Sequence, residues 1–131
     1  MWIKYNANPK RNRVGDCTVR AISKLIGSDW HVTFSGLCLQ GYIDCDMPSS
    51  NNVWQKYLKE KGYKRHALPD VCPECYTVSD FCKEHNVGRY LLGLDSHVVC
   101  AIDGDYYDTW DCGDETVIYY FTKDEVKNSN E

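Results

Sequence analysis

The chain has 131 residues, 43% of them hydrophobic and 26% charged. That length and balance suit one domain built on one hydrophobic core, and argue against a disordered linker or a second module. A formal net charge of −4 argues against a broad nucleic-acid footprint. The absence of any run of about 18 apolar residues argues against a membrane partner, and the start Met-Trp-Ile-Lys-Tyr-Asn lacks the pattern of an export signal.

Taken in order, residues 2–5 read as a short strand and residues 6–13, with Asn8-Pro9, as a polar loop. That loop delivers the chain to Cys17 at the start of a helix. Gly15 and Asp16 are its loop and cap residues, Ala21, Ile22 and Leu25 recur on one face, and Gly27 is placed to end it. Ser28 or Asp29 can cap a second helix with Trp30, Phe34, Leu37, Cys38 and Gly41 on a core-facing side. Residues 47–51 form a break and a cap before a third helix with Val53, Trp54, Tyr57 and Leu58 apolar and Gly62 as its stop. Residues 65–73 read as irregular, and Thr77 or Ser79 starts a short helix running to about His85. Residues 89–94, 97–102, 105–110 and 116–121 are β-branched or aromatic runs between turn signals, Asp103-Gly104 being the clearest, and predict an antiparallel meander. Residues 127–131 read as a frayed end. The expectation is a single α+β domain over residues 1–131, N-terminal helices packed on a C-terminal antiparallel sheet, with a cleft where the first helix meets the sheet.

The chemistry starts at Cys17. A thiol in the first helical turn lies at the positive end of the macrodipole, beside unpaired N–H groups that favour a thiolate and can hold an oxyanion. A small buried residue on an amphipathic helix fits the same spacing. Lys10, Arg11, Arg13 and Arg20 cluster around Cys17 in sequence, either supporting a thiolate or forming a solvated loop. Of the four histidines, only His97 begins a strand bounded by turn residues, which makes it the natural base. If Asp103-Gly104 is a two-residue type I′ turn, Ile102 pairs with Asp105. Asp108 and Trp110 then share the face of His97, while Asp111 lies on the other. A three-residue loop would reverse that parity and favour Asp111 as the orienting carboxylate.

Gly15-Asp16-Cys17 opening a helix, His97 at the head of a strand and Asp108 after the next strand resemble the papain-like cysteine peptidase superfamily. The runs Gly-Asp-Cys-Thr-Val-Arg-Ala-Ile, Met-Pro-Ser-Ser-Asn-Asn-Val-Trp and Gly88-Arg89-Tyr90, with the block of residues 97–111, are similar to small papain-like proteins of bacteria and their phages. In order and compactness the chain also resembles the peptidase domains that process bacteriocin leaders. The resemblance implies a hydrolase of peptide or isopeptide bonds, with Cys17 as nucleophile, His97 as general base and Asp108 as orienter. It implies a peptide or protein substrate and no cofactor; the lack of an export signal gives the expectation of a cytoplasmic location, in the host cytoplasm if phage-encoded. The superfamily commonly places an oxyanion-hole glutamine shortly before the cysteine. Here the only glutamines are Gln40 and Gln55, and Asn12 is the loop amide nearest the usual spacing. The alternative is a binding protein that kept this fold without efficient chemistry, a phage or bacterial factor directed at a host protein or small ligand.

Eight cysteines in a reducing compartment point to catalysis or metal rather than to disulfides. Cys72-Pro-Glu-Cys75 with Cys82-Lys-Glu-His85 could place three thiolates and an imidazole around one Zn²⁺. Cys82 and His85 equally continue the apolar stripe of Val78 and Phe81, which makes them core residues of a metal-free protein.

Overall fold

The structure, a computed structural model, describes residues 1–68 and 75–123. Its centre is the hairpin of β3 (Arg89–Leu94) and β4 (His97–Ile102), whose alternating side chains are apolar on both faces. Leu91, Val98 and Cys100 point to one side and Leu92, Val99 and Ala101 to the other, so each side needs its own cover. The first side is covered by α1 (Cys17–Ile26), α2 (Trp30–Asp44) and α3 (Asn51–Glu60), which contribute Ile22, Leu25, Leu37, Trp54 and Leu58. The second is covered by α4 (Val78–Glu84) through Val78, Phe81 and Cys82. The α+β class therefore holds, with helices on both faces of the sheet.

That sheet is not the expected meander. It has six strands in the order β1-β5-β4-β3-β6-β2, where β1 is Trp2–Lys4, β2 Tyr63–Ala67, β5 Asp105–Asp108 and β6 Tyr119–Lys123. β1 runs parallel to β5, which makes the sheet mixed. β6 skips β5 and pairs with β3, through Leu91 opposite Phe121. Residues 63–67, read in part as irregular, form an edge strand against β6. Their pattern concealed this, because only Tyr63 is buried and the rest of the strand is polar or solvent-facing.

The helices follow local signals more closely. α1 ends where Gly27 takes φ +74 and its N–H returns to Ser23 O. Asp29 caps α2 by accepting from Val32 N, and Thr77 with Asp80 closes a capping box on α4. α2 is rotated from its expected face: Thr33, Leu37, Gln40 and Gly41 are buried, while Phe34 is 40% exposed and stacks on Trp30. Gly36 lies so close to the Tyr57 ring that a Cβ there would come within 2.7 Å of it, and this close approach to α3 sets the rotation. No helix among the described residues is long and apolar enough to cross a membrane.

Candidate functional site

Cys17 is the first residue of α1, half-buried at the helix start. Asp16 occupies the cap position, but its side chain does not cap. The carboxylate instead turns inward, where it is 5% exposed and accepts from Asn8 Nδ2 at 3.3 Å, from Trp30 Nε1 at 2.9 Å and from Arg20 Nη1. These contacts tie the loop before the cysteine to α1 and α2. The first-turn N–H groups are thus left without this carboxylate as acceptor.

The turn after β4 decides the second half of the site. Asp103 and Gly104 have φ +50 and +87, the two positive values of a type I′ turn, and Ile102 pairs with Asp105. Parity then places His97 and Asp108 on one face at the ends of adjacent strands, and His97 Nε2 donates to Asp108 Oδ2 at 2.5 Å. The Cys17 thiol is hydrogen-bonded to the His97 ring and to the Val98 backbone. Trp110 covers the imidazole, ring centroids 5.2 Å apart. Asp111 is turned away, accepting from Tyr106 Oη and Gly113 N.

Asp108 is 2% exposed and well supplied with donors: Thr109 N at 2.7 Å, Arg20 Nη2 at 3.4 Å and the thiol of the fully buried Cys112. Burial pushes its carboxyl up, but the imidazolium, the Thr109 N–H and the Cys112 thiol outweigh burial and hold it below the usual carboxylate range. Burial would likewise lower the pKa of His97. The Asp108 carboxylate and the Cys17 sulfur overcome that and raise it to about 9. Burial raises the Cys17 thiol, whereas His97, the Val98 N–H and the Arg20 charge bring it below its ordinary value. The three groups thus favour a thiolate facing an imidazolium. Cys112 is pushed the other way, by burial and by the adjacent Asp108 charge, and stays a thiol.

A cavity of about 190 Å³ opens beside Cys17 and His97. Its walls include Trp54, Leu94 and Tyr119 on the apolar side and Ser49, Asn51 and Ser96 on the polar side. Tyr119 lies flat over Gly93, where any Cβ would collide with its ring. Nothing in the local sequence signalled Trp54 and Tyr119 as cleft residues, because each reads as ordinary core within its own element. The same holds for Cys112, which meets Asp108 only through the loop after β5. Asn12 is exposed and absent from the cavity wall. The buried amide of that loop is Asn8, committed to Asp16. Lys10, Arg11 and Arg13 are solvent-facing, so of that cluster only Arg20 reaches the site.

Among the described residues, one grouping offers three metal-ligating atoms within 4.8 Å of one another: His97, Asp108 and Cys112. Asp108 already has hydrogen-bond donors on both of its oxygens, which fits a hydrogen-bonded carboxylate better than a metal ligand. Of the sequence-predicted zinc set, Cys72 lies outside the described residues. Cys75 is exposed, Cys82 is buried on the inner side of α4, and His85 stacks on Phe81 with Nδ1 against Phe81 O. Compared with protein-family models, curated proteins and solved structures, the chain matches none.

Proposed function

We propose that the chain is a papain-like thiol hydrolase that cleaves a peptide or isopeptide bond through a thioester on Cys17. The observation that carries this reading is the linked order of Cys17, His97 and Asp108, with the 2.5 Å hydrogen bond holding the ring on Asp108 and the Cys17 thiol hydrogen-bonded to the same ring. In the mechanism, the Cys17 thiolate attacks the substrate carbonyl carbon and the C–O π pair moves to oxygen. The free N–H groups of the first turn of α1 stabilise that oxyanion. As the carbon–nitrogen bond breaks, the His97 imidazolium gives its proton to the leaving amine. Water, deprotonated by His97, then attacks the thioester, and the tetrahedral intermediate collapses to the carboxylic acid and the Cys17 thiolate, which leaves the thiolate–imidazolium pair restored.

The exposed position of Asn12 favours a second reading, in which the same fold binds a protein or small ligand and turns over poorly. Iodoacetamide alkylation of Cys17 against pH, in the wild type and in His97→Ala, tests the activated thiol. The hydrolase reading expects substantial alkylation well below the free-thiol pKa of about 8.5, lost in His97→Ala. A Cys17 rate that rises only near that pKa and ignores the substitution refutes it. A reactive Cys17 that forms no acyl-enzyme with peptide thioesters or activated esters assigns the binding reading.

A further inference from the structure

Two carboxylates, Asp16 and Asp108, are buried within reach of one guanidinium; Asp16 precedes Cys17 in the chain, and Asp108 is hydrogen-bonded to the His97 ring. The helix makes this possible, since Arg20 stands one turn from Asp16 and three residues from Cys17. Its side chain is only 12% exposed, with Nη1 on Asp16 and Nη2 on Asp108. Asn8 and Trp30 give Asp16 hydrogen bonds but no charge.

We propose that Arg20 is a positioning residue of this site, a fork that holds Asp108 toward His97 and supplies the positive charge without which a Cys17 thiolate would stand beside two buried carboxylates. The proposal rests on the thiol-hydrolase reading of Cys17 and His97. A charge count gives its logic. Asp16 and Asp108 carry two negative charges, and the thiolate would add a third. His97 supplies one positive charge and Arg20 the other, so the group without Arg20 holds three anions against one cation. The remaining titratable neighbours do not compensate. Cys112 stays a neutral thiol, the Tyr5 phenol is raised by burial to about 12, and that of Tyr119 is raised as well. The direct effect of Arg20 is to favour the thiolate. A lysine would keep the charge but not the fork, since a single ammonium cannot reproduce two fixed N–H donors aimed at two carboxylates.

The test is the pH profile of Cys17 alkylation by iodoacetamide, read by mass spectrometry of the Cys17 peptide on the full chain, with circular dichroism as a check on folding. Arg20→Met should raise the midpoint by about one pH unit, which is about tenfold less thiolate at any pH below it. Asp16→Asn removes a negative charge from the same group and should move the midpoint the opposite way. Arg20→Lys should keep the midpoint near that of the wild type, with a lower rate on the plateau. Opposite shifts are the signature of charge, because simple loosening of the site would move both variants alike. If Arg20→Met fails to fold, Asp16→Asn and Arg20→Lys decide the matter. A depressed wild-type midpoint that neither Asp16→Asn nor either Arg20 variant moves would overturn the role of Arg20 while leaving the hydrolase reading in place. A wild-type Cys17 with an ordinary midpoint would overturn both.

Discussion

Replacing Asp108 by Asn tests the relation between the His97 ring and the charge behind it. The amide keeps the size of the carboxylate, and its one oxygen can still accept from Thr109 N while the NH2 takes the place of the oxygen that faces His97, so the fold should survive. What disappears is the negative charge that stabilises the imidazolium. The interval from 6.5 to about 9 for His97 corresponds to about 3 kcal/mol in favour of the charged ring. Both Asp108 and Cys17 contribute to it. Asp108 is the first of the groups that raise the ring, and losing its share should lower the thiolate–imidazolium population on the order of tenfold at a given pH. The expected result is therefore about a tenfold loss in the rate of Cys17 alkylation at neutral pH, with the far-UV circular dichroism of the wild type. Asp111→Asn is the matched control. Its carboxylate serves Tyr106 and Gly113, so the substitution should weaken those hydrogen bonds and leave the alkylation rate alone. Equal effects of the two substitutions, or the reverse ranking, would refute the placement of Asp108 behind His97.

Two further outcomes follow from the same geometry. The His97 imidazole should titrate near 9 by NMR and move toward 6.5 in Asp108→Asn, whereas an unshifted midpoint in both proteins would contradict the pairing. In Cys17→Ala, where only the histidine–carboxylate pair remains, the elevated folded-state pKa of His97 contributes stability that is complete below about 6.5 and is lost as pH rises through the folded midpoint. In the wild type the depressed Cys17 thiol contributes the opposite slope, so urea-melt stability should depend less on pH over that interval. Gly93→Ala should drive the Tyr119 ring off its seat and out of its stack with Trp54, costing about 1–3 kcal/mol by overpacking. An unchanged denaturation midpoint would show that the Tyr119 ring is not seated over Gly93 as described.

Several features of the protein were present in short stretches of sequence. The start of α1 at Cys17, its stop at Gly27, the Thr77 cap of α4 and the type I′ turn at Asp103-Gly104 each depend on a few neighbouring residues, and backbone sterics and terminal hydrogen bonds act at that range. The turn even determined a distant relation, because a two-residue connection fixes register and register fixes which of Asp108 and Asp111 shares the face of His97. Other relations were decided only when the chain closed on itself. β1 beside β5, β6 beside β3 and the polar edge strand β2 are pairings across long separations, selected by which arrangement buries both faces of the central hairpin. α2 was turned by the approach of Gly36 to Tyr57, a contact between helices that the apolar spacing of either helix does not encode. The inward turn of Asp16 away from its capping role is of the same kind. A carboxylate at the head of a helix can cap it or pair with a distant cation, and the burial of Arg20 between Asp16 and Asp108 decided the outcome. Local rules name the groups that a segment can offer, while tertiary packing sets which buried charges must find one another.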